Sequence, residues 1–181
     1  MSRSVRLSAC ALSTVACIGL VACGNAPAPV EMAEQVAPAS PLVGTWEVAT
    51  VTPANGSPVV DPAQPGLFMF GADGYYSIVT TTGSDPRVAS DTPWQATDEE
   101  KIAQYDSIIV NAGRYEISGS TLTTRPMLAK NQEFVGGHQT FEFAIDGGDL
   151  TLTEQERVTA DGTPPANMGI VTTLRRLRAV M

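Results

Sequence analysis

From Leu42 onward, apolar and polar residues alternate in short runs, and turn-forming residues separate the runs. The first run, residues 42–51 (LVGTWEVATV), contains a Gly-x-Trp step, Gly44-Thr45-Trp46, followed by β-branched alternation. A second strand is expected at 67–70 and a third at 75–82. They are joined by Ala72-Asp73-Gly74, whose Asp-Gly pair readily takes positive φ. Five more strands complete the chain. Residues 112–118 and 121–128 flank Gly119-Ser120, His138–Asp146 and 150–157 flank Gly147-Gly148-Asp149, and 170–178 follows a long loop. One stretch has a different period. Thr97 and Glu100 form a capping-box pattern, and Ile102, Tyr105 and Ile109 recur at helical spacing with Ile108 widening the stripe, which predicts a helix over 98–109.

Eight strands joined in order by hairpin-like loops, with no βαβ alternation, predict an all-β protein with an antiparallel sheet. Eight such strands close into an up-and-down barrel with room for side chains or one small ligand. A two-sheet sandwich is the competing architecture. The helix falls between the third and fourth strands, where it would act as a lid or plug across one end. Trp46 beside Gly44 suits the barrel's closed floor, because the indole fills space and glycine lets another backbone come close.

Alternation also assigns faces. Phe141, Phe143 and Ile145 share one face, Tyr115 shares another with Ile117, and Leu150 and Leu152 share a third with Glu154. Phe68, Phe70, Tyr115, Phe141, Phe143, Ile145, Leu150 and Leu152 are the expected interior lining. If the leucines point inward, Glu154 points at the cavity or its rim, and a buried carboxylate there needs a partner. The single histidine, His138, has no cysteine nearby and makes no metal site; beside two glycines it reads as an exposed residue.

The chain has 181 residues, 43% of them hydrophobic, enough for one domain with a real core. A formal net charge of -8 argues against nucleic acid as a partner. Cys10, Cys17 and Cys23 are the only cysteines, so the folded part has neither disulfide nor thiolate chemistry. No G-x-S-x-G, P-loop, G-x-G-x-x-G or H-E-x-x-H pattern occurs, and no catalytic residue, metal or cofactor is assigned. The N-terminus reads as an address. Arg3 and Arg6 precede an apolar run, 7–22, which ends in Leu20-Val21-Ala22-Cys23. This resembles the bacterial lipobox. The resemblance implies a lipoprotein signal peptide over 1–22 and a diacylglycerol on the Cys23 sulfur. Gly24, standing where an Asp would retain the protein at the inner membrane, implies the outer membrane, with the domain in the periplasm. Residues 23–41, mostly Ala, Pro, Glu and Gln, read as a disordered tether, and 42–181 as the barrel domain.

Several pieces in order carry a further resemblance: Leu42-Val43-Gly44-Thr45-Trp46-Glu47; Pro65-Gly66-Leu67-Phe68 with Asp73-Gly74-Tyr75-Tyr76-Ser77; Ala112-Gly113-Arg114-Tyr115-Glu116-Ile117; and Gly137-His138-Gln139 leading to Phe143-Ala144-Ile145-Asp146-Gly147. From 42 to 178 the chain resembles the lipocalin-like domain proteins of the lipocalin and calycin group. The resemblance implies a β-barrel and a small apolar ligand. It also implies a last-strand arginine packed on the Gly-x-Trp tryptophan, Arg176 or Arg178 according to register. The stretch Leu174-Arg175-Arg176-Leu177-Arg178 departs from the group in lacking an aromatic. The expected function is an envelope lipoprotein, anchored through Cys23, that carries or senses a small apolar or amphipathic molecule or lipid. Two other readings stand beside it. One is a cofactor-free isomerase or cyclase, marked by several cavity-facing ionisable groups with displaced pKa values. The other is a structural or inhibitory protein with a filled barrel.

Overall fold

A computed structural model describes residues 40–54, 57, 59–166 and 168–178. The expected signal peptide, Cys23 and all of the expected tether except Ser40 and Pro41 lie outside the described residues. Among the described residues eight strands form one closed antiparallel barrel, in the order of the chain. They are β1 (Gly44–Thr52), β2 (Gly66–Phe70), β3 (Tyr75–Thr81), β4 (Ile108–Ser118), β5 (Thr121–Ala129), β6 (His138–Asp146), β7 (Asp149–Val158) and β8 (Val171–Arg176). β8 returns to pair with β1, so every strand has two neighbours and neither a sandwich nor a free edge exists in this ring.

The two-residue period of the strands becomes a radial pattern. In β2, Gly66, Phe68 and Phe70 are buried while Leu67 and Met69 face out. Inward-facing Trp46, Tyr76, Ile78, Leu122, Phe141, Leu150, Leu152 and Leu174 form the core with them. Three ladders carry a bulge: β1 against β8 between Val48 and Thr50, β4 against β5 between Ala112 and Gly113, and β6 against β7 between Thr140 and Phe141. Each extra residue bends its strand, which helps a small sheet to close, and reverses which residues beyond it point inward.

The floor of the barrel is built on Trp46, which is fully buried. Its Nε1 donates to the Leu42 carbonyl at 2.8 Å. Arg176 is its ladder partner on β8 and settles the register question left between Arg176 and Arg178. The guanidinium carbon stands 4.0 Å from the indole centroid, and the Arg176 side chain donates to Val43 O at 2.8 Å and to Pro41 O at 2.6 Å. Ser40 and Pro41, read as the end of a tether, are therefore bonded into the floor; the Val43 N–H also donates to Ser40 O. Gly44 has a φ of 137°, and a Cβ there would sit 2.8 Å from Arg176 Nη1, so this position takes glycine for both its backbone and its space. Arg178 lies beyond β8 and is exposed.

The helix differs from expectation. α1 spans Asp98–Asp106, with the Thr97–Glu100 capping box formed in both directions. It stops at Ser107, and Ile108 and Ile109 instead pair with Thr81 and Thr80 of β3. Consecutive β-branched residues fit the pleated ladder better than another helical turn, and an available partner strand decides between the two. α1 buries none of its residues. Ile102 is 62% exposed, and Tyr105 is held at the surface by its hydroxyl on Lys130 O and by the Lys130 ammonium 4.5 Å from its ring. The helix is a surface connector, and no plug.

Candidate functional site

The barrel is filled in one half and hollow in the other. Near the floor, Phe70 and Tyr115 meet edge to face at 5.2 Å, and the Tyr115 hydroxyl donates to Gly71 O at 2.8 Å. Burial raises the Tyr115 phenol's pKa. Leu150 and Leu152 are buried there too, Phe143 packs against the same core, and Ile145 is 36% exposed. These six, expected as cavity lining, share the inward face but do not line the hollow. The two-residue period fixes which side of the sheet a residue takes and says nothing of its height along the barrel axis.

The hollow is a cavity of about 650 Å³ at the end remote from Trp46. Three of the expected lining residues, Phe68, Phe141 and Glu154, do border it. Val48, Val51, Ile78 and Ile170 add apolar wall, and Phe134 reaches it from a single 3-10 turn, Gln132–Phe134, between β5 and β6. β5 pairs with β6 only over Thr121–Thr124, so this turn fills the place where the two strands part. No residue of α1 borders the cavity.

A polar cluster occupies the β6–β7 wall. Glu154 is 4% exposed, with one oxygen accepting from Gln139 Nε2 at 2.6 Å and the other from the backbone N–H groups of Gly169 at 3.1 Å and Ile170 at 3.4 Å. Arg157 Nε lies 3.0 Å from Oε1, a charge contact by distance whose N–H is not aligned on the oxygen. Three hydrogen bonds and the adjacent guanidinium charge offset the cost of burying the carboxylate. The arrangement acts as an anchor: it ties the segment entering β8 to β7 and leaves both Glu154 oxygens occupied.

Strict alternation from Glu154 points Glu156 inward and Arg157 outward. The bulge reverses this, because Thr140 pairs with Glu156 while Phe141 pairs with Glu154, leaving Gln155 extra. Gln139 and Arg157 are then ladder partners on the inner side, and Glu156 turns out to meet His138 Nε2 at 3.0 Å. His138 is thus half-buried and paired, and not a free loop residue as its neighbouring glycines suggested.

Two buried side-chain oxygens have no hydrogen-bond partner among the described residues: the Tyr76 hydroxyl and Asn111 Oδ1. Tyr76 lies below the cavity. Burial pushes its phenol up to about 12, and the adjacent Thr124 hydroxyl pulls the other way without reaching hydrogen-bond geometry. Asn111, on β4, is 6% exposed and borders the cavity. Sequence reasoning missed Asn111, Gln139 and Arg157. The only available signal was polarity inside apolar runs, as in Ile108-Ile109-Val110-Asn111, and assigning the first two residues to a helix hid that strand position. No group of three or more His, Cys, Asp or Glu placed to hold a metal occurs among the described residues.

Residues 43–176 match the family model described as a lipocalin-like domain. No curated protein matches. Among solved structures, the chain is similar to a lipocalin-like protein from Bacteroides uniformis, at 13% identity and a TM-score of 0.44, over 75% of this chain and 98% of that one. An uncharacterized protein from Bacteroides eggerthii aligns at 11% identity and a TM-score of 0.43, over 75% of this chain and 99% of that one.

Proposed function

Taking as premise that the chain belongs to the lipocalin-like domain family, we propose that its barrel binds one small apolar or amphipathic molecule in the half left hollow. The observation that carries this reading is the cavity of about 650 Å³, walled by Val48, Phe68, Ile78 and Phe141 and bordered by a few convergent polar groups. Both the volume and the mixture are those of a small-molecule site. In the unacylated C23S protein, a panel of single-chain lipids and terpenoid-like compounds is expected to raise the melting temperature with at least one member. Saturation at a hundredfold excess over Kd contributes about 2.7 kcal/mol, a shift of several degrees. A flat panel, together with no co-purifying mass in native mass spectrometry, removes the reading.

The anchor is part of the proposal. Leu20-Val21-Ala22-Cys23 supports cleavage before Cys23, and Gly24 supports an outer-membrane address. One myristoyl-length chain gives marginal membrane binding, whereas two or three hold a protein stably. The mature protein's first peptide is expected to begin at Cys23 and to carry the mass of a diacylglycerol thioether. A mature chain beginning elsewhere, or an unmodified cysteine, rules out this lipoprotein assignment.

A further inference from the structure

β5 and β6 leave a seam in the cavity wall. They pair over Thr121–Thr124 and Gln139–Glu142 and then separate. Pro126 is the reason on the β5 side. Its carbonyl faces the seam, where it accepts from Gly136 N, and it has no N–H to donate, so the ladder cannot run through it. Residues 131–136 fill the gap. Three backbone bonds stay within this turn, Phe134 N to Asn131 O, Val135 N to Gln132 O and Gly137 N to Phe134 O. Among the described residues two reach the rest of the barrel, Gly136 N to Pro126 O and Ala160 N to Glu133 O, both at 3.3 Å. That is longer than the usual N–H···O distance of about 2.9–3.0 Å. The 3-10 turn Gln132–Phe134 has no side-chain cap and buries none of its residues. The other loops at the hollow end are tied more closely. Val51 and Val60 exchange bonds of 3.1 and 2.8 Å, Thr82 N donates to Ser107 O at 2.9 Å, and Glu154 holds the entry to β8.

The turn has a hinge and a door. Gly136 has a φ of 87°, which glycine takes freely, and a Cβ there would meet only Ala160 Cβ, at 3.4 Å. Gly137, next to it, lies so close to Val158 O and Thr159 that no Cβ fits, which fixes the far side of the hinge. Phe134 is half-buried and borders the cavity. On the adjoining stretch of β5, Met127 and Leu128 are 62% and 64% exposed. We propose that residues 131–136 are the gate through which an apolar ligand enters the hollow. The turn swings on Gly136, Phe134 leaves the gap between β5 and β6, and Met127 and Leu128 form the apolar approach. The inference rests on the reading of the cavity as a ligand site and adds the route into it. Moving the turn breaks two long backbone bonds and uncovers one ring, whereas parting paired strands breaks a ladder; gates are drawn from elements of such low local stability.

The test uses the unacylated C23S protein and the uncharged fluorophore N-phenylnaphthylamine, with association and dissociation followed by stopped-flow fluorescence. Phe134→Ala is expected to raise kon and koff together, each about fivefold or more, and to leave Kd within about threefold, because removing a door lowers the same barrier in both directions. A residue that is only wall acts on koff and leaves kon alone, as most lost contacts do. Phe134→Trp is expected to slow both rates. In the unsubstituted protein, the Val135 and Gly136 N–H groups are expected to exchange about tenfold faster than those of Val60 and Thr82, and to slow when the fluorophore is bound; this readout does not depend on how a variant folds. An unchanged kon with a faster koff, or exchange at Val135 and Gly136 no faster than at Val60, overturns the gate and leaves the cavity reading standing. No binding of the fluorophore to the unsubstituted protein overturns both.

Discussion

Trp46→Ala is expected to destabilise the barrel by about 3–5 kcal/mol, the range for emptying a buried aromatic site. Chemical denaturation followed by tyrosine fluorescence or circular dichroism would measure it. The value belongs at the upper end for reasons visible around the ring. The indole is fully buried, its Nε1 is bonded to Leu42 O, and Arg176 lies over its face while bonded to Val43 O and Pro41 O. Alanine removes the packing, orphans the Leu42 carbonyl and takes the platform from under the guanidinium. Trp46→Phe separates these effects. It keeps a ring for Arg176 and loses the indole donor along with part of the volume, so a smaller loss of about 1–2 kcal/mol is expected. A loss below about 1 kcal/mol for the alanine variant would mean that the floor does not hold the barrel closed.

Glu154→Ala ranks second. Removing one partner of a buried, hydrogen-bonded charge cluster costs about 3–5 kcal/mol when the remainder stays dry; Arg157 is 28% exposed at its side chain, which places the expected loss near 3 kcal/mol. The loss should also be local. The Gly169 and Ile170 N–H groups lose the Glu154 oxygen, so hydrogen exchange at the entry to β8 should quicken far more than at Leu122 or Phe68. The double variant Glu154→Leu/Arg157→Leu replaces the pair with apolar volume and is expected to regain much of the stability. If the double variant is as unstable as Glu154→Ala, the charge cluster is not what the single substitution breaks.

The ligand and stability experiments address different halves of one barrel. Residues near the floor hold the ring shut, and residues toward the other end surround open space. Substitutions at Trp46 should lower stability without changing which member of the ligand panel binds best.

Much of this architecture is written in local sequence. The alternation in β2 and β7, the Asp73-Gly74 and Gly119-Ser120 turns, the Thr97–Glu100 cap and the Gly44-x-Trp46 step each depend on residues within a few positions of one another. A two-residue period and a turn's φ requirement are short-range properties, so a linear chain displays them. From them followed eight antiparallel strands, a closed ring and the inward side of Phe68, Phe141 and Glu154. The remaining decisions needed the closed ring. Ile108 and Ile109 became strand because β3 lay beside them. Arg157 turned inward because Gln155 is extra opposite β6. Phe70, Tyr115 and Leu150 entered the packed half, and Asn111 came to border the hollow, because height along the axis depends on how eight registers add up around the circle. Those are contacts between residues far apart in the chain, and no local period encodes them.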